Sequence, residues 1–124
     1  MNQKLGKHYK LCSKKLIQQV FDEGDSLSIF PFSSRHLLNV NESLLSFQVA
    51  FSVPKKKFKS AVQRNRIRRR MREALRKNKS IIEDKIPADK QLVLFLIYSS
   101  HEESTFETLN TKMIQLLNKI SAKL

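Results

Sequence analysis

Apolar and polar positions alternate strictly through residues 45–53. Leu45, Phe47, Val49, Phe51 and Val53 fall on one side, and Ser46, Gln48, Ala50 and Ser52 on the other. Period two predicts a strand with one greasy face and one small, polar face, closed by Pro54. Residues 92–98 form an unbroken apolar run, which predicts a strand buried on both faces. Elsewhere the spacing is helical. Leu16, Ile17, Val20 and Phe21 mark a helix over 14–23, capped by Ser13 and closed by Gly24. Ile67, Met71, Ala74 and Leu75 mark another within 60–77. Phe106, Leu109, Met113, Leu116, Leu117 and Ile120 mark a third, opened by a Ser104/Glu107 capping box. Residues 26–40 read as one or two short strands around Pro31, which favours a sheet edge, and Asn41 and Glu42 suit a turn. The order α-β-β-(β)-α-β-α predicts an α/β (α+β) fold. It is a two-layer sandwich on a single sheet, one domain over 1–124, with 1–12 as a flexible basic N-terminus.

Charge changes this picture. The 124 residues include 24 Lys/Arg and 11 Asp/Glu, a formal net charge of +13. Residues 55–79 alone hold 13 basic residues and one acid, Glu73, so nearly all the excess sits in one segment. At about 100° per residue, Asn65, Arg69, Arg72 and Arg76 share the helix side opposite the apolar seam, flanked by Arg68. Like charges three or four apart destabilise a helix, so this row needs an anion. Guanidinium forks fit phosphates and base edges better than ammonium groups do. A polyanion, nucleic acid foremost, is the partner such a balance implies.

Other chemistry finds less support. Cys12 is the only cysteine, which excludes a disulfide framework and fits a reducing compartment. No apolar run approaches the ~20 residues a membrane span needs, and no signal-peptide core follows the N-terminal lysines. His8, His36 and His101 lack companions at metal-ligand spacing, and two glycines allow no phosphate-cradling loop. Asp22, Glu23, Asp25, Glu102 and Glu103 do not form a nuclease-like ligand set. A strand, not a second helix and tight turn, precedes the arginine helix, which disfavours major-groove DNA binding. A ribosomal or general RNA-binding structural protein remains open.

Phe51-Ser52-Val53-Pro54-Lys55-Lys56, followed by Ala61-Val62-Gln63-Arg64-Asn65-Arg66-Ile67-Arg68-Arg69-Arg70-Met71-Arg72-Glu73-Ala74, resembles the signature of the bacterial ribonuclease P protein subunit. Residues 16–24 resemble that family's first helix, with its two spaced aromatics and closing glycine. The resemblance implies a small basic protein that binds a catalytic RNA and the 5′ leader of precursor tRNA in the cytoplasm. Hydrolysis is then carried by the RNA with magnesium, and the protein alone is not catalytic. No small-molecule substrate and no membrane partner are implied. The family fold also implies a left-handed βαβ crossover, against the general right-handed rule.

Carried over by position, Arg64, Asn65, Arg66, Arg68, Arg69, Arg72 and Arg76, with Lys55 and Lys56, are the implied RNA contacts. A leader cleft is expected between the first helix and the polar face of the middle strand. Ile17, Phe21, Gln48, Ala50 and Ser52 would line it, with Lys14 and Lys15 supplying charge. Three positions depart from the pattern. Ile17 replaces the first aromatic, Arg68 replaces the commoner lysine, and Ser99-Ser100-His101-Glu102-Glu103 lacks basic residues.

Overall fold

The computed structural model describes residues 9–11, 13–40 and 47–124. Along the chain run α1 (Lys14–Glu23), β1 (Asp25–Ile29), β2 (Phe32–Val40), β3 (Phe47–Ser52), α2 (Ala61–Asn78), α3 (Ser80–Glu83), β4 (Lys90–Tyr98) and α4 (Phe106–Ala122). The four strands form one sheet in the order β1-β2-β4-β3. β1 pairs with β2, and β2 with β4, antiparallel; β3 runs parallel to β4. A parallel neighbour cannot be reached by a hairpin, so α2 and α3 carry the chain from β3 back to β4.

β4 lies inside the sheet, flanked by β2 and β3, which is why its apolar run is unbroken. Leu92, Leu94, Leu96 and Tyr98 face one layer, and Val93 and Phe95 the other. The first layer holds the main core, where Ile67, Met71, Ala74 and Leu75 of α2 meet Leu109, Met113, Leu116, Leu117 and Ile120 of α4. On the opposite face α1 buries Val20 with Leu11 and Val93, joined by Leu16, Ile17, Leu37, Ala50 and Phe95. The sandwich thus has its main helical layer on one side and α1 on the other.

Several boundaries differ from the sequence reading. β3 is at the sheet edge, not in its middle. An edge position leaves one face short of covering elements, which suits a strand with small polar residues on that face. Pro31 lies in the turn between edge strand β1 and β2. The cap of α4 is Thr105, whose hydroxyl accepts from Thr108 N at 3.2 Å. Ser104 is instead drawn to Tyr98, whose hydroxyl lies 3.0 Å from both its Oγ and its backbone N. The one-turn α3 is additional. Ser13 and Ser60 cap α1 and α2, accepting from Leu16 N and Gln63 N.

Gly24 ends α1 in extended backbone (φ −76°), so it is not a left-handed cap. A Cβ there would collide with Val20 O and approach His36 O to 2.8 Å, so the glycine allows the helix end to close onto β2. Of the segment expected to be a flexible basic terminus, residues 1–8 and 12 lie outside the described residues. Tyr9 and Leu11 are packed and the exposed Lys10 forms a β-bridge with Val49: Leu11 N donates to Val49 O at 2.9 Å, and the Tyr9 ring lies 4.8 Å from Phe47. The turn at Asn41 and Glu42, and Leu45 and Ser46, also lie outside the described residues.

Candidate nucleic-acid interface

The narrow apolar seam of α2 fixes its rotation. With Ile67, Met71, Ala74 and Leu75 buried, Asn65, Arg69 and Arg72 are exposed and Arg76 is half-buried, as the spacing predicts. The arginines then divide into sets with different work.

The entry to α2 is held by Arg64, whose Nη1 donates to Phe58 O and Lys59 O at 2.8 and 2.9 Å. Phe58 is buried against Tyr98, with ring centroids 5.8 Å apart. Lys57 Nζ donates to Ser99 O, which pins the same loop to the end of β4. Lys55 and Lys56 stand exposed on it.

One flank of α2 faces an anion supplied by the protein. Glu103, in the loop before α4, accepts from Arg66 Nε (2.9 Å) and Nη2 (2.5 Å), Arg70 Nη1 (3.0 Å) and Gln63 Nε2 (2.9 Å). The hydrogen bonds from Arg66, then Gln63 and the nearby Arg66 and Arg70 charges, lower its carboxyl to about 2. Further along, Arg76 pairs with Glu73 at 2.5 Å, which holds the Glu73 carboxyl below its ordinary range.

The other flank opens on a groove of about 490 Å³ between α2 and the edge of β3. Asn65, Arg68, Arg69 and Arg72 line it on the helix side. Tyr9, Lys10, Leu11, Val49, Ala50 and Phe51 complete it, and no carboxylate is among these lining residues. An apolar floor below a guanidinium wall suits a nucleotide, whose base is flat and apolar and whose phosphate is anionic.

The second expected site is on the α1 face. Phe21 is 37% exposed, so it is not a core plug. Its ring meets Phe95 edge-on at 5.0 Å, and the Arg35 guanidinium sits 5.4 Å from its centroid. Arg35 Nη1 also donates to Phe21 O at 3.0 Å. By register Ala50 stands beside Phe95 and Ser52 beside Ile97, which brings both to this face. Gln48 stands beside Val93, further along the strand and under α1. Ile17 is packed into the layer beneath α1. Lys14 and Lys15 are exposed at the opposite end of the helix from Phe21, about 10 Å away at 1.5 Å per residue. Lys15 borders a different depression with Asn39, Val40 and Gln91. The structure therefore gathers Phe21, Ala50 and Ser52, and leaves the two lysines apart from them.

Arg35, Phe95, Glu103 and the Tyr9–Leu11 edge were missed by sequence reasoning. Arg35 carried a signal, being a charge inside the alternation of β2. The other three reach the sites through partners more than 30 residues distant. Among the described residues no three His, Cys, Asp or Glu side chains are grouped to hold a metal ion, and no helix is long and apolar enough to cross a membrane.

The Ribonuclease P family model matches residues 5–121. A ribonuclease P protein component of Porphyromonas gingivalis (strain ATCC BAA-308 / W83) is 31% identical over 120 residues, spanning 94% of this chain and 86% of that protein. The RNase P protein of Thermotoga maritima superposes with a TM-score of 0.68 at 25% identity, over 89% of this chain and 96% of that one. The RNase P protein of Staphylococcus aureus shares the fold (TM-score 0.66, 23% identity, 91% and 94% coverage).

Proposed function

The chain belongs to the ribonuclease P protein family, and we propose from its surfaces that it binds the catalytic RNA through α2 and the 5′ leader of precursor tRNA through the α1 face. The observation that carries this is the groove beside α2, with three arginines and an asparagine on one wall and no carboxylate in its lining. Phosphate contacts there supply affinity and register, and the Asn65 amide adds a neutral donor and acceptor for a base edge or a 2′-hydroxyl. On the other face, Phe21 over Phe95 and beside Arg35 offers an aromatic and cationic platform for an unpaired nucleotide.

Magnesium does not fit the groove. Its side-chain donors are guanidinium and amide groups with Lys10, a set that repels a divalent cation. The family resemblance implies that the metal of the reaction, and with it hydrolysis, belongs to the RNA. The protein raises substrate affinity and screens phosphate repulsion between the two RNAs, working in the cytoplasm, where tRNA precursors are processed. Reconstitution with the matching catalytic RNA and a precursor tRNA at low magnesium tests this. The protein should raise cleavage at the mature 5′ end, and RNA-free protein should give none. Equal binding to unrelated structured RNAs without stimulation would favour a general RNA-binding protein instead.

A further inference from the structure

Glu103 is built into its position. The Tyr98 hydroxyl donates to Glu102 O and accepts from Ser104 N, so the residues either side of Glu103 are tied to the end of β4. Arg70 Nη1 also donates to Ser104 O at 3.0 Å. On this fixed loop the carboxylate takes four hydrogen bonds on two oxygens, which fills the acceptor sites a carboxylate has. The geometry with Arg66 is the two-pronged one that a guanidinium would offer a phosphate. Gln63 and Arg70 complete a cradle on a single helix flank, at i, i+3 and i+7. On the groove side, no carboxylate is among the described residues that line the wall with Arg68 and Arg69.

We infer that Glu103 is an affinity-setting residue that occupies Arg66 and Arg70 in place of a phosphate, so that the RNA contacts of α2 come from the groove flank. The inference rests on the RNA-binding role proposed for α2. A phosphate approaching Arg66 must displace a carboxylate that is already tethered and saturated, whereas one approaching Arg69 enters a groove with no carboxylate in its lining. A helix with seven arginines thereby acquires a direction, with one flank holding its own carboxylate and the other lined by none among the described residues.

The test is the salt dependence of binding to the catalytic RNA, measured for the unaltered chain and for Glu103→Gln, Arg66→Ala and Arg69→Ala. Glutamine keeps the shape and one acceptor but drops the charge. Glu103→Gln should bind more tightly, and the slope of log affinity against log salt should steepen by about 0.7–0.9 for each arginine released. Arg69→Ala should flatten the slope by about the same amount. Arg66→Ala should leave it unchanged, because that charge is already matched. An Arg66→Ala slope as flat as that of Arg69→Ala, or an unchanged slope in a folded Glu103→Gln, overturns the inference. If Glu103→Gln fails to fold, the two arginine variants decide alone. Loss of the Arg69→Ala effect itself would instead overturn the RNA-binding role of α2.

Discussion

Phe21 and Gly24 stand three residues apart and do opposite work. Phe21 keeps more than a third of its surface in solvent while its ring leans on Phe95. Truncating it removes a platform more than a core. Stacking on an aromatic contributes about 1–3 kcal/mol per base. Phe21→Ala should therefore weaken holoenzyme binding to precursor tRNA and leave mature tRNA, which has no leader, nearly unaffected. Equal losses for both forms with a large drop in melting temperature would assign Phe21 to the core. Gly24→Ala should act only on stability, because a Cβ there meets two backbone carbonyls that cannot turn aside. Overpacking of this kind costs about 1–3 kcal/mol, readable as a lower urea midpoint with unchanged slope. The sequence showed that a glycine ends α1, but its neighbour His36 lies twelve residues on, so the reason for the glycine was not legible. Glu103 was hidden in the same way. Its partners Gln63, Arg66 and Arg70 lie 33 to 40 residues earlier, and no local pattern marks such a pair.

Elements built on one periodic face could be read directly. α2 was legible because its four apolar residues fix which side is buried, and that alone orients every arginine on it. Two classes of substitution should separate along this line. Met71→Ala, at a fully buried position, should cost about 2–5 kcal/mol of stability. Arg69→Ala with Arg72→Ala should leave the melting curve nearly intact and flatten the salt dependence of RNA binding by about 1.4–1.8. If the double variant unfolds instead, the exposed row is structural. β3 was read less well. Its alternation fixed which residues share a face but not its neighbours, since register and strand order depend on partners that period two does not name. Hence the alternation puts Ala50 and Ser52 on one face but does not say that the strand lies at the sheet edge. Lys14 and Lys15 stand apart from Phe21 for a related reason. Sequence proximity to Phe21 is not spatial proximity on a helix of ten residues.

At the scale of the whole molecule, two groups far apart in the chain respond to acid in different pH ranges. His36 is buried between β1 and the core, its Nδ1 without a hydrogen-bond partner and its Nε2 3.9 Å from Asp25. Burial holds its pKa below the ordinary 6.5, Asp25 opposing and Lys123 assisting. The unfolded chain therefore takes up this proton first, and stability falls as pH drops below 6.5. Glu103 acts lower. Its carboxyl, held at about 2 by Arg66, Gln63 and Arg70, stays ionised in the fold after the unfolded chain has begun to protonate at 4.5. Its contribution is complete above 4.5 and is lost as pH falls from there towards 2. Denaturant titrations across pH should then show two separate declines. His36→Gln should remove the one that begins near 6.5 and leave the lower one in place. Glu103→Gln should do the reverse, shrinking the decline between 4.5 and 2 to the share of Glu73, whose carboxyl Arg76 also holds low. Because the Glu103 share of the lower decline is the release of Arg66 and Arg70 from their carboxylate, Arg66→Ala with Arg70→Ala should shrink it as well. A decline below 4.5 that is undiminished in both Glu103→Gln and the arginine pair would place the acid sensitivity in other carboxylates.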